Sequence, residues 1–183
     1  MDIHRYNAAK QVSGLLEDML NPQLVSLAEG QIWIPDSRFN TLYLAFHTFH
    51  HLGHGMKLHH LCDWAIQIGK YGLELPAELK DSAFLEGVNA LTRLCNEYLG
   101  VDIPVKGGEE LADVMLQEMV RPTFDEVVPA NSKSGILWYK FRRLLHRYQL
   151  SNRVLRGSQL WYLWFIFTFH LKYPETNFRK RQR

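Results

Sequence analysis

Six of the nine histidines in this 183-residue chain lie within residues 41–70, and their spacing constrains the fold more than any other feature. At about 100° per residue, His47, His50, His51 and His54 fall on one side of a helix. The opposite side is apolar and consists of Leu42, Ala45, Phe46, Phe49 and Leu52. This pattern predicts an amphipathic helix with one buried face and a histidine stripe on the other.

A second helix is predicted directly after this one. Gly53 and Gly55 indicate a tight turn between the two. The periodicity of the second helix directs Leu58, Leu61, Cys62, Ala65 and Ile68 inward. The residues expected to face outward are His59, His60, Asp63, Gln67 and Lys70. We therefore predict an αα-hairpin, on which the rest of the chain packs.

The fold class predicted from these patterns is mainly all-α, a helical bundle built on the histidine-rich hairpin, with one or two short N-terminal strands. The strand candidates are residues 1–6 and 31–34, and the other helical patterns do not supply partners for them. Further helices are predicted from 12 to 19, 77 to 99, 109 to 120, 135 to 149 and 158 to 173. The expected division is a strand and helix segment (1–35), a helical domain (36–122), a loop (123–134) and a basic, aromatic helix pair packed on the bundle (135–183).

The charge of the chain is distributed unevenly. Residues 1–130 carry 9 Lys and Arg against 18 Asp and Glu, whereas residues 131–183 carry 12 against the single Glu175. Two explanations are open: the halves neutralise each other, which we favour, or residues 135–183 bind an anionic partner such as nucleic acid or a lipid surface. The apolar stretch Leu160–Leu171 is too short for the roughly 20 residues of a membrane span, so a peripheral association is the most that we expect.

Cysteine usage bears on the cellular compartment. Cys62 and Cys95 both lie inside apolar helical patterns, and the chain does not open with the apolar run of a signal peptide. We therefore expect reduced thiols and a cytoplasmic protein.

The histidine stripe admits two interpretations. Histidines at i, i+4 and i+7 can converge on a metal ion, with His47, His51 and His54 as the best ligands and Asp63 able to join or orient one of them. The alternative is a structural role, which the pattern favours because no HExxH motif, CxxC pair or inward carboxylate set accompanies the stripe. His59 and Asp63 lie one helical turn apart, and a surface hydrogen bond explains this pair better than a catalytic dyad.

Other catalytic motifs are missing from the sequence. It contains neither GxSxG nor a phosphate-binding GxxxxGK[ST] or GxGxxG motif, and Lys106-Gly107-Gly108 is at best a weak anion site. Two-metal chemistry requires carboxylates that alternate along a strand, but no two acidic residues are spaced i, i+2. The chain therefore does not carry a complete two-metal centre.

Two segments resemble a known family. FNTLYLAFHTFHHLGHGMKLHHLCDWAIQIGKYG (39–72) and LTRLCNEYLG (91–100) are similar to the helical half of bacterial, Bacteroides-type, nucleotidyltransferase-like proteins related to the DNA polymerase β superfamily. The resemblance covers residues 1–100 and is weak beyond them. In that family an upstream α/β core carries a Gly-Ser and paired-Asp motif, which this chain lacks, since its only Gly-Ser is followed by QLWYLW.

The resemblance implies specific residues and partners. Asp2 matches an acidic position on the core sheet of the family, that of the third catalytic carboxylate, and His4 matches its neighbour, so the resemblance makes both candidate catalytic residues. It also implies that His50, His59, His60, Asp63 and Trp64 are structural or line the wall of the site. The cofactor that the family implies is a divalent metal, Mg²⁺ rather than Zn²⁺, but one carboxylate cannot hold two ions. We expect the C-terminal portion of such a protein, from a shortened gene, a fragment or a split system. Such a chain is inactive alone, and it completes or covers a nucleotidyl-transfer site that another polypeptide supplies or that has been lost. The alternative function is a helical interaction module that docks on a protein or an anionic surface through its C-terminal helices. A homo-oligomer is a further expected association.

Overall fold

The computed structural model describes residues 10–53, 55–79, 83–124 and 132–155, together with 164 and 168. Within these residues the chain is mainly helical, with a small antiparallel sheet near the N-terminus. The elements are α1 (Lys10–Asp18), β1 (Gln23–Leu27), β2 (Gly30–Ile34), α2 (Ser37–His51), α3 (Leu58–Tyr71), a 3₁₀ turn (Ala77–Leu79), α4 (Ala83–Leu99), α5 (Glu109–Val120) and α6 (Lys133–Leu155). The predicted fold class is confirmed.

Helices α2 and α3 form the predicted αα-hairpin. The Asp36 carboxylate caps α2 by accepting a hydrogen bond from the Phe39 N–H at 2.8 Å, which satisfies a donor that the first helical turn leaves unpaired. Gly53 has a φ of 73° in the turn, a conformation that L side chains rarely adopt. The apolar face predicted for α2 is confirmed, because Leu42, Ala45, Phe46, Phe49 and Leu52 are all buried.

The core lies where α3, α4 and α6 meet the apolar face of α2. Trp64 of α3 is fully buried, and its indole Nε1–H donates to the Thr92 hydroxyl of α4 at 3.1 Å. Gly87 of α4 lets the helices approach closely, because a Cβ at this position would lie 2.8 Å from Phe49 and 2.7 Å from Val154. Helices α3, α4 and α6 therefore cover the apolar face of α2 and exclude water from the core.

The predicted orientation of α3 is wrong for several residues. His60 and Gln67 were expected to face outward, yet both are buried, and Leu58, expected inward, is 58% exposed. Burial of Gln67 is tolerated because its amide donates to the Ser37 carbonyl at 2.9 Å and to the Thr41 hydroxyl at 3.0 Å. These bonds attach α3 to the first turn of α2.

The predicted strand at 31–34 has a partner after all. It forms most of β2, which pairs with β1 in register Leu24 to Trp33 and Val25 to Ile32. The sequence did not reveal β1, so the expectation of an isolated strand there is wrong. The other strand candidate, residues 1–6 with Asp2 and His4, lies outside the described residues.

Helix α5 has the bounds that the sequence predicted, whereas α6 runs to Leu155, six residues beyond its predicted end. The C-terminal half of α6 packs on the bundle through Leu150, Val154 and Leu155, which are all buried. The helix predicted from 158 to 173 lies outside the described residues, except that Trp164 and Thr168 are helical. No helix in the described part of the chain is long and apolar enough to cross a membrane.

Candidate functional site

Three histidines from two helices meet on the polar side of the αα-hairpin. His47 and His51 are one turn apart on α2 and therefore share a face, while His60 stands in the first turn of α3. One ring nitrogen from each of the three lies within 4.8 Å of the others. In the described part of the chain this is the one group of three or more His, Cys, Asp or Glu side chains close enough to share a metal ion.

His60 is the buried member of this group, at 4% exposure, and it is held by the start of its own helix. Its Nδ1 lies 3.0 Å from the Lys57 N–H and 3.2 Å from the Lys57 carbonyl oxygen. In one neutral tautomer Nδ1 accepts from the N–H, and in the other it donates to the carbonyl. In both, Nδ1 is engaged by the Lys57 backbone, and Nε2 is the ring nitrogen that remains.

Burial is the main cause of a lowered pKa at His60. The neighbouring His59 and, more weakly, His47 lower this pKa further, because a second positive charge nearby disfavours protonation. The Lys57 hydrogen bond and the Asp63 carboxylate oppose these effects without reversing them. His60 is therefore a neutral imidazole near pH 7, the form in which histidine binds metals.

The rings around the cluster are in contact with one another. The His47 and His51 ring centroids are 4.7 Å apart, as are those of His51 and His60. His59 lies against His60 at 4.0 Å, and Tyr43 stacks on His47 at 5.8 Å. These contacts restrict the side-chain rotamers of the cluster.

His50 makes a different contact, with α6. The Arg147 guanidinium donates to Nε2 of His50 at 2.9 Å, since arginine has no acceptor atom. His50 is therefore in the neutral tautomer with the proton on Nδ1. Its Nε2 is engaged by α6, and it is not part of the three-histidine group.

The structure describes only some of the other residues that the sequence predicted for the site. His54, Asp2 and His4 lie outside the described residues, so the ligand set His47, His51 and His54 stays a prediction. Asp63 and His59 are exposed, whereas the full burial of Trp64 places it in the core. Sequence reasoning missed His60 as a partner of His47 and His51, and the one signal for it was the short turn that brings the two helices together.

A buried carboxylate near the hairpin turn was also missed. Glu118, at the end of α5, is 6% exposed and accepts hydrogen bonds from His146 at 2.9 Å and from the Thr123 hydroxyl. The bond from His146 connects α5 to α6. Periodicity could not find Glu118, because a buried acid needs a partner that is distant in sequence.

The environment of Cys95 does not suit nucleophilic chemistry. Cys95 is buried, and burial, together with the neighbouring Cys62, raises the pKa of its thiol to about 12. Its Sγ–H donates to the Leu61 carbonyl at 3.5 Å. A thiol of this kind is protonated at neutral pH and therefore a poor nucleophile.

Comparison with known proteins gave no match: no family model fits the chain, and no curated protein or solved structure is similar to it. The family resemblance of residues 39–72 and 91–100 therefore stays a prediction.

Proposed function

We propose that this chain is the helical portion of a nucleotidyltransferase-like protein. It is inactive alone, and it completes or covers a nucleotidyl-transfer site that another polypeptide supplies. The resemblance of residues 1–100 is the starting point of the proposal.

The observation that carries the proposal is the exposure of the β1–β2 hairpin. Cross-strand partners share a face of a sheet and successive pairs alternate, so the Leu24 and Trp33 pair lies on one face and the Val25 and Ile32 pair on the other. Both faces carry exposed apolar side chains, with Trp33 at 67% and Ile32 at 46% exposure. Strands that are apolar on both faces are typical of sheets that are covered on both sides.

The edges of this hairpin support the same conclusion. The sheet has two strands in the described part of the chain, and a two-stranded sheet is marginal by itself in water. Its outer edges can pair with strands of another sheet, which is a common way for proteins to join. The hairpin is therefore suited to extend the sheet of a separate core protein.

The test is nucleotide transfer from a radiolabelled nucleoside triphosphate with Mg²⁺. The chain is assayed alone and after co-expression with the protein encoded by the neighbouring upstream reading frame. We expect transfer in the second case only, and transfer by the purified chain alone would refute the proposed incompetence. Trp33→Lys should abolish co-purification and transfer without lowering the melting temperature, whereas the matched change Gln31→Lys, at a polar position of the same strand, should leave both intact.

A second candidate function, that of an interaction module, is supported by α6. This helix carries six Lys and Arg and no Asp or Glu. Four large apolar side chains on it are between 43% and 62% exposed and recur at helical spacing, namely Leu137, Trp138, Phe141 and Leu145. An exposed apolar stripe on a basic helix is typical of docking on a partner or on an anionic surface.

Point variants test this candidate better than a truncation, because the end of α6 belongs to the core. The double variant Trp138→Ser/Phe141→Ser should weaken salt-dependent binding to anionic vesicles or RNA. Gln149→Ser, an exposed polar position on the same helix, is the matched control. Equal binding by both variants would exclude the stripe as the docking element.

A further inference from the structure

The donor chemistry of the three-histidine group is selective. Three imidazoles without a carboxylate suit zinc, copper, nickel and cobalt, whereas magnesium and calcium prefer oxygen. The group is also assembled from two elements, with His47 and His51 on α2 and His60 on α3. An ion held there would therefore connect the two helices of the hairpin.

We propose that the αα-hairpin binds one divalent zinc-class ion through ring nitrogens of His47, His51 and His60, with solvent at the fourth position. This site differs from the sequence-predicted set by one ligand, since His60 takes the place of His54. The proposal goes beyond the proposed function and does not depend on it, because the three ligands belong to this chain.

One of the two neutral tautomers of His60 suits this role, namely the one in which Nδ1 donates to the Lys57 carbonyl rather than accepting from the Lys57 N–H. Metal-binding histidines usually donate their other ring N–H to a carbonyl or carboxylate, which fixes the tautomer. The Lys57 carbonyl oxygen, 3.2 Å from Nδ1, can accept such a bond. The tautomer with the proton on Nδ1 leaves the Nε2 lone pair for the ion, so the acceptor that orients the ligand is part of the backbone.

The three ring nitrogens have to move only a short distance to coordinate one ion. Zinc–nitrogen bonds of about 2.0–2.1 Å in a tetrahedral arrangement place the ligand nitrogens about 3.3 Å apart. The three nitrogens already lie within 4.8 Å of one another, so side-chain rotation has to close about 1.5 Å at most. The backbone can stay in place, because the buried side chains of Phe46, Phe49 and Leu61 anchor the two helices in the core.

The binding test uses the full chain without a histidine tag, treated with EDTA and then dialysed. Zn²⁺ is titrated by calorimetry, and Co²⁺ is followed by its visible d–d absorption, which is strong for tetrahedral sites. We expect one ion per chain, a tetrahedral Co²⁺ spectrum and a higher melting temperature with Zn²⁺ than without it. Ions bound by scattered surface histidines would give neither a single stoichiometry nor that spectrum, and such a result would overturn the proposal.

Ligand identity is tested with glutamine variants. His60→Gln and His51→Gln should each weaken Zn²⁺ binding by more than the roughly 10- to 100-fold that loss of an outer-shell contact costs. The matched control is His170→Gln, a histidine outside the αα-hairpin, which should bind as the parent does. If circular dichroism shows that His60→Gln does not fold, His51→Gln, at a less buried position, is used to test ligand identity.

His54→Gln separates this site from the sequence-predicted one. Under the present proposal it should bind Zn²⁺ within a few-fold of the parent. If His54→Gln abolishes binding and His60→Gln does not, the ligands are His47, His51 and His54, and the proposal is wrong. None of these readouts involves nucleotide transfer, so this proposal and the proposed function can fail independently.

Discussion

The two hairpins of this chain contain similar apolar residues but bury them to very different degrees. In the αα-hairpin Leu42, Phe49 and Trp64 have no exposed surface, whereas in the β-hairpin Trp33 is 67% and Leu27 55% exposed. The difference follows from coverage, because α4 and α6 pack on α2 and α3 but the described elements do not cover β1 and β2. Apolar residues stabilise a fold only where other elements exclude water from them. We therefore expect the αα-hairpin to determine stability and the β-hairpin to determine association.

The largest difference in the free energy of unfolding is expected between variants of two tryptophans, one in each hairpin. Trp64→Ala should destabilise the chain by about 3–5 kcal/mol, because it opens a cavity and removes the partner of Thr92. Trp33→Ala should change the free energy of unfolding by no more than about 0.5 kcal/mol, because its side chain is mostly in solvent. Urea unfolding followed by far-UV circular dichroism measures both. Similar losses for the two variants would show that the β-hairpin is covered after all.

The next largest difference in the free energy of unfolding is expected between alanine variants of two helical glycines. Gly87→Ala should destabilise by about 1–2 kcal/mol, because the clash with Phe49 and Val154 outweighs a gain of about 1 kcal/mol in helix propensity. Gly69→Ala in α3 is the matched control, since a Cβ there meets no atom within 4 Å. It should stabilise by roughly 0.5–1 kcal/mol in the same assay. Stabilisation by Gly87→Ala would contradict the close approach of α2, α4 and α6.

A smaller effect is expected at the junction between the two hairpins. Asp36→Ala removes the N-cap of α2 and should cost about 1 kcal/mol. Gln31→Ala removes the exposed hydrogen bond to the Ser26 hydroxyl in the β-hairpin and should cost close to nothing. Thermal unfolding of the two variants measures the difference. An equal loss would place part of the stability in the β-hairpin.

The smallest effect is a pH dependence that originates at His60. Its pKa is lower in the folded chain than the ordinary value of 6.5, so at pH values just below 6.5 the unfolded chain binds more protons. Stability should therefore be complete above about pH 7 and fall as the pH drops through about 6.5. Denaturant midpoints of EDTA-treated protein at several pH values measure this fall. His60→Gln should reduce the slope, and His59→Gln should largely retain it, because burial is the main cause of the lowered pKa.

Local signals predicted much of the helical structure. The bounds of α5, the turn at Gly53 and the apolar face of α2 all follow from residues close in sequence. Strand β1 was missed, because Gln23–Leu27 has no strong alternation and forms only by pairing with β2. The extension of α6 to Leu155 was also missed, because its last turn is stabilised by burial of Val154 and Leu155 against distant residues.

In the candidate site, the sequence pattern decides one part of the arrangement and the tertiary structure decides the other. The sequence by itself placed His47 and His51 on one face of a helix, since a spacing of four residues is enough for that. Only the tertiary structure brought His60 to them, because the rotation of α3 about its axis is set by the packing of Trp64 against α4 and by the bonds from Gln67 to α2. Periodicity predicts which residues share a face, but contacts between elements decide which face is buried.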